Sequence, residues 1–139
     1  MKKKVYIATH GEMAEGIKNS LELIAGDSAK EIEAYSLIPG KNPQDFIRQI
    51  EEDIQEDSET QYIILGDLYG ASIVNSMVQL AGYENVVLLS GVNLSMALQV
   101  LLSVSESLTD SEVEMIIAES KMGIQRIVLP KEINENNEF

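Results

Sequence analysis

The chain has no cysteine. Disulfides, zinc–thiolate centres and thiol catalysis are therefore excluded. It has no tryptophan, three prolines and a single histidine, His10, in 139 residues. One imidazole, no thiol and no tight carboxylate cluster make a poor donor set, so neither a metal nor a cofactor is expected. Cations are also scarce: ten Lys and Arg stand against 23 Asp and Glu, a formal net charge of −13. Such a surface repels phosphate backbones, which argues against a nucleic-acid partner. It favours solubility and suits a partner with a positive patch. No apolar run approaches the roughly 20 residues that a membrane span needs. The start, MKKKVYIATHG, is basic and then apolar. Its apolar part, Val5 to Ala8, falls short of the roughly 7–15 residues of a signal-peptide core, and no small-residue cleavage site follows. The expectation is a soluble, cytoplasmic protein.

What is present suits one compact domain over residues 1–130, followed by an acidic, flexible tail, 131–139. Apolar residues make up 45% of the chain, enough for a core. With Met1 to Lys4 as a solvated lead, Lys4 to Thr9 reads as a short buried strand. Met13, Ile17, Leu21 and Ile24 recur at helical spacing, and Gly26 supplies a stop. Ile32 to Ser36 can form a second strand. Asn42, Pro43 and Asp45 open a helix whose apolar face is Phe46, Ile47, Ile50 and Ile54. Gln61 to Gly66 is a continuous apolar strand, DLYGAS a loop, and Ile73 to Ala81 a helix. NVVLLSG is a fourth strand, ending in the loop GVN. Leu94, Leu98, Leu101 and Leu102 mark a helix apolar almost all round, central or at an interface. Thr109 to Glu112 is a capping box opening a helix with core face Val113, Ile116 and Ile117. Gln125 to Leu129 can be a fifth short strand.

Short apolar strands alternating with helices indicate an α/β fold: a doubly wound, mostly parallel sheet with helices on both faces. The flavodoxin-like order 2-1-3-4 is a common solution, and it places the ligand crevice between strands one and three. His10 leaves the end of strand one and Asp67 the end of strand three. The imidazole and the carboxylate could then meet across the crevice. The loop Gly91 to Asn93 would border it, and helices would begin near Glu12, Ser72 and Leu94. Free N–H groups at helix starts suit an anion such as phosphate. The small residues Gly70 and Ala71 would let an oxyanion approach the backbone, and Ser72 adds a hydroxyl.

A carboxylate that accepts from one ring nitrogen fixes the tautomer and leaves the other nitrogen basic. Beside an anion cradle, that arrangement suits phosphoryl transfer through a phosphohistidine. Hydrolysis with Ser72 as nucleophile fits less well, because the strained Gly-x-Ser-x-Gly elbow is absent.

IATHGEMAEGI near the start, GDLYGAS after strand three and SGVNLSM after strand four come in an order that resembles the IIA component of the mannose-type (mannose–fructose–sorbose) sugar phosphotransferase system. The resemblance spans Lys4 to Leu129 by element order. It implies that His10 carries the phosphoryl group and that Asp67 orients the ring, and Ser72 matches the serine of the family's Gly-Gly-Ser-Pro loop; with the small residues Gly11, Gly70 and Ala71 it makes the expected phosphoryl-binding set. It further implies phospho-HPr as donor, a histidine of the IIB component as acceptor, and membrane permease components as indirect partners. The sugar itself would not touch this chain. A homodimer is implied too, with Gln125 to Leu129 lent to the partner's sheet. The loop departs from the family's Gly-Gly-Ser-Pro: Ala71 replaces the second glycine and Ile73 the proline. Two alternatives remain. One is the related phosphocarrier subunit of dihydroxyacetone kinase. The other is a receiver-like regulatory domain phosphorylated on Asp67, although Thr9-His10 stands where receivers carry acidic magnesium ligands.

Overall fold

The computed structural model describes residues 2–67 and 72–130, except for the side chains of 72 and 73. Gly70, Ala71 and the acidic tail 131–139 therefore lie outside the described residues. The strands are β1 (Lys2–His10), β2 (Glu33–Leu37), β3 (Thr60–Gly66) and β4 (Val86–Leu89). They form one parallel sheet in the order β2-β1-β3-β4. The helices are α1 (Met13–Ala25), α2 (Pro43–Glu56), α3 (Ser72–Met77), α4 (Leu94–Leu102) and α5 (Asp110–Met122).

Three helix starts have a local cause. At α2, the Asn42 side chain accepts from the Gln44 amide and Pro43 takes the first helical position. At α4, the Asn93 side chain accepts from the Met96 amide. At α5, Thr109 and Glu112 form a reciprocal capping box. The Ser105 hydroxyl also donates to Glu112, and with Thr109 it holds that carboxyl below its ordinary pKa.

The sheet separates two apolar layers. Ile7, Ile63 and Leu65 face Ala14, Leu21, Met96, Ala97, Val100 and Ile116 on one side. Tyr6, Ala8 and Ile64 face Ile47, Ile50, Ile54, Val74 and Met77 on the other. Alternate residues of β1 and β3 thus supply both layers, which is why these strands read as continuous apolar runs. β3 is buried throughout. Gln61, buried within it, donates to the Leu108 carbonyl (2.9 Å) and accepts from the Leu108 amide (2.7 Å), tying the loop after α4 to the sheet.

Several expectations need correction. β1 begins at Lys2, and Lys2 to Lys4 pair with Thr60 to Tyr62, so the basic lead is part of the strand. α1 is rotated from its expected face: Ala14 and Leu21 are buried, whereas Met13 and Ile24 are exposed. The helix packs on β1 and α4, and the small Ala14 lies at that contact while the longer Met13 points out. α4 buries Met96, Ala97 and Val100, and its Leu102 is exposed. The third helix is shorter than expected, with a 3₁₀ turn over Val78–Gly82. Residues 124–130 form no strand within the single chain, and Ile127, Val128 and Leu129 are exposed.

Candidate functional site

β1 and β3 are the inner strands, and their register determines what meets at the carboxyl edge. Ala8 lies level with Gly66, and His10 with Leu37 of β2. Asp67 leaves β3 one residue beyond Gly66, so it comes beside the Thr9–His10 peptide. The Asp67 Oδ2 accepts from the His10 backbone N–H (2.9 Å) and lies 2.8 Å from the His10 Nδ1. The sequence expectation that this imidazole and this carboxylate meet across the crevice is met by residues 57 positions apart.

Their environments differ. The Asp67 side chain is 8% exposed and the His10 side chain 43%. The carboxylate is a buried fixture, and the ring is presented to the outside. An ionised carboxylate only accepts, so a neutral ring facing it carries its proton on Nδ1. The lone pair of a neutral ring then resides on Nε2, the nitrogen suited to attack. If the ring gains positive character, the Asp67 charge is already in place to stabilise it.

The next residue bends the chain. Gly11 has φ +57°, in the left-handed region, and its N–H donates to the Leu37 carbonyl at 2.8 Å. That amide is engaged within the fold, and glycine serves the site here by allowing the turn from strand to helix. Among the described residues, a side-chain carbon at Gly11 would meet nothing within 4 Å.

On the far side of the crevice, the loop after β4 is anchored to the loop after β3. The Gly91 amide donates to the Asp67 carbonyl (3.1 Å), and the Val92 amide donates to the Gly66 carbonyl (2.9 Å). Gly66 has a separate steric requirement: a Cβ there would come 2.5 Å from the Val74 Cγ2. Only glycine lets α3 approach the end of β3 that closely. α1, α3 and α4 all begin at the sheet's carboxyl edge, as expected from the strand order.

Of the residues expected in the site, His10, Asp67 and Gly11 are brought together. Ser72 opens α3 at the same edge, with its side chain outside the described residues, as are Gly70 and Ala71. Sequence reasoning missed Thr9. Its hydroxyl accepts from the Ala14 amide at 2.8 Å, and the side chain is fully buried. The nominal N-cap of α1, Glu12, makes no side-chain capping bond. A threonine preceding an uncapped helix start was the available signal. No group of three or more His, Asp or Glu that could hold a metal occurs among the described residues. No helix among them is long and apolar enough to cross a membrane.

The family model described as "PTS system fructose IIA component" matches residues 4–117. A solved phosphotransferase system component EIIA from Streptococcus agalactiae is 29% identical and superposes with a TM-score of 0.76. That match covers 89% of this chain and 96% of that one. A sugar phosphotransferase system permease protein from Klebsiella pneumoniae is 28% identical, with a TM-score of 0.74 over 91% of each chain. The mannose/sorbose-specific IIA subunit from Enterococcus faecalis shares the fold at 24% identity, with a TM-score of 0.79, covering 96% of this chain and all of that one. With the model spanning both His10 and Asp67, the chain belongs to the mannose-type IIA family of sugar phosphotransferase-system components.

Proposed function

We propose that this protein accepts a phosphoryl group from phospho-HPr on the Nε2 of His10 and passes it to a histidine of a IIB component. It would do so in the cytoplasm, as one step in the import and phosphorylation of a sugar. The observation that carries the reading is the pairing of an exposed imidazole with a buried carboxylate through Nδ1. In the forward step the Nε2 lone pair attacks phosphorus, the donor's P–N bond breaks, and the donor imidazole leaves with the electron pair. The product is a His10 P–N bond on a ring that keeps its Nδ1 proton toward Asp67. Transfer to the acceptor repeats the step with the roles exchanged. Partner proteins, not small molecules, must reach His10. The exposed Met13 and Ile38 beside it offer apolar contact for them.

Gly11 and the loop containing Gly70, Ala71 and Ser72 are the proposed phosphoryl cradle, and no described residue crowds a Cβ position at Gly11. The receiver-like alternative is disfavoured by the Asp67 carboxylate, which is buried and holds two groups of His10.

The linkage chemistry tests the assignment. Protonation turns a phosphorylated imidazole into a good leaving group, so a P–N bond breaks in acid and survives in base. An acyl phosphate is cleaved by hydroxide and by hydroxylamine. Protein labelled from phospho-HPr should keep its label in alkali, lose it in mild acid, and carry it on the peptide containing His10. Alkali-labile, hydroxylamine-sensitive label on the Asp67 peptide would overturn the reading.

We also propose a homodimer in which Gln125 to Leu129 of each chain pairs with an edge of the partner's sheet. The exposed Ile127, Val128 and Leu129 and the open edge at β4 support it. Light scattering at micromolar concentration should give twice the 15.4 kDa chain mass. A monomer would count against the exchange.

A further inference from the structure

Three consecutive residues at the end of β1 are pinned to three different elements. The Thr9 hydroxyl accepts from Ala14 in α1 (2.8 Å). The His10 amide donates to Asp67 after β3 (2.9 Å). The Gly11 amide donates to Leu37 at the end of β2 (2.8 Å). An ordinary N-cap acts within its own helix turn, two or three residues from its donor. This one comes from a strand residue five positions back. The bond therefore spans the whole turn that carries His10, closing Thr9 to Ala14 into a ring. Inside that ring, His10 places its backbone N–H and its Nδ1 on the same oxygen of Asp67. Rotation of the Thr9–His10 peptide would move both contacts at once.

From this geometry we infer that Thr9 is a positioning residue for phosphoryl transfer: its buried hydroxyl locks the turn so that the His10 ring keeps Nδ1 on Asp67 and presents Nε2 outward. The inference rests on the phosphoryl reading of His10 given above. Thr9 touches no reacting atom and acts through the backbone of the next residue. Helix capping alone would call for a short Ser, Thr, Asp or Asn side chain at position 12, where Glu12 makes no capping bond, whereas a strand-borne cap couples the helix start to the imidazole.

The test uses the full chain with Thr9 replaced by Val, Cys or Ser. Valine keeps the β-branched shape and volume and removes the acceptor. Cysteine keeps only a weak one, and serine keeps the hydroxyl without the methyl group. Single-turnover acceptance from labelled phospho-HPr, normalised to folded protein, should fall roughly 10–100-fold in Thr9→Val, the scale expected for a reacting group displaced by about 1 Å. Thr9→Ser should retain most of the rate and Thr9→Cys should fall between. Nitrogen-15 NMR of the ring should show the single Nδ1–H tautomer in the wild type and in Thr9→Ser, and a mixture in Thr9→Val. A lower melting temperature with unchanged rate and tautomer would overturn the inference, because the hydroxyl would then be a stability feature only. Serine as slow as valine, or cysteine as fast as serine, would overturn it too. Should valine prevent folding, the serine and cysteine proteins decide between them. The tautomer measurement needs no donor, so it separates failure of the positioning role from failure of the phosphoryl reading.

Discussion

A His10→Ala protein is expected to take up no phosphoryl group from phospho-HPr while folding normally. The imidazole is the only one in the chain and half-exposed, so its loss removes little packing. The cost to stability should be about 1–2 kcal/mol, because the ring's hydrogen bond to the buried carboxylate is lost. Asp67 is not left as an uncompensated buried charge, because it still accepts from the backbone N–H of residue 10. Removing the nucleophile removes the covalent intermediate itself, so the effect is an absence of label and not a slower rate. Stoichiometric labelling in acid-free quench, run beside a thermal melt, checks both halves. A variant that still reached one phosphoryl group per chain would place the acceptor elsewhere.

An Asp67→Asn protein is expected to retain His10 as a nucleophile and yet transfer slowly. The amide is close to the carboxylate in size, so the buried site is filled as before. Its oxygen must stay toward the ring, because the same position accepts from the His10 backbone N–H, so the Nδ1–H tautomer is kept. What is lost is charge: a neutral amide holds the ring more weakly and cannot stabilise it as it gains positive character. The expected loss is on the order of 10²–10³ in rate, the scale of removing one electrostatic stabiliser of a transition state. That corresponds to about 3–4 kcal/mol in the barrier. Rapid-quench kinetics measures it. A rate within twofold of the wild type would remove Asp67 from the mechanism.

Both predictions join residues that the sequence keeps far apart, and the basis of that joining differs from one feature to the next. The Asn42–Pro43 helix start and the Thr109–Glu112 capping box could be read directly, because donor and acceptor lie within four residues and any helix there presents the same geometry. The alternation of short apolar strands with helices was equally legible. A parallel sheet covered on both faces buries every residue of its inner strands, and β3 carries that pattern. The meeting of His10 with Asp67 could be expected once a strand order was assumed. The order itself depends on long-range pairing that no local pattern encodes.

The outward turn of α1 was not legible. Its apolar residues cover more than one face, and only packing on β1 and α4 selects Ala14 and Leu21 over Met13 and Ile24. Gln125 to Leu129 has the composition of a strand and forms none in the single chain, since a strand exists only where an edge is available to pair with it.

By itself, the sequence determined the fold class, the absence of thiol chemistry, and the single residue able to serve as a histidine nucleophile, because these depend on composition and on contacts local along the chain. Only the tertiary structure decided that one oxygen of Asp67 would hold both the backbone and the ring of His10, that Thr9 would cap α1 across the intervening turn, and that Gly66 would make room for Val74. Those contacts follow from the register of β1 against β3 and from helices closing on the sheet's carboxyl edge, and register is a property of paired strands rather than of either strand alone.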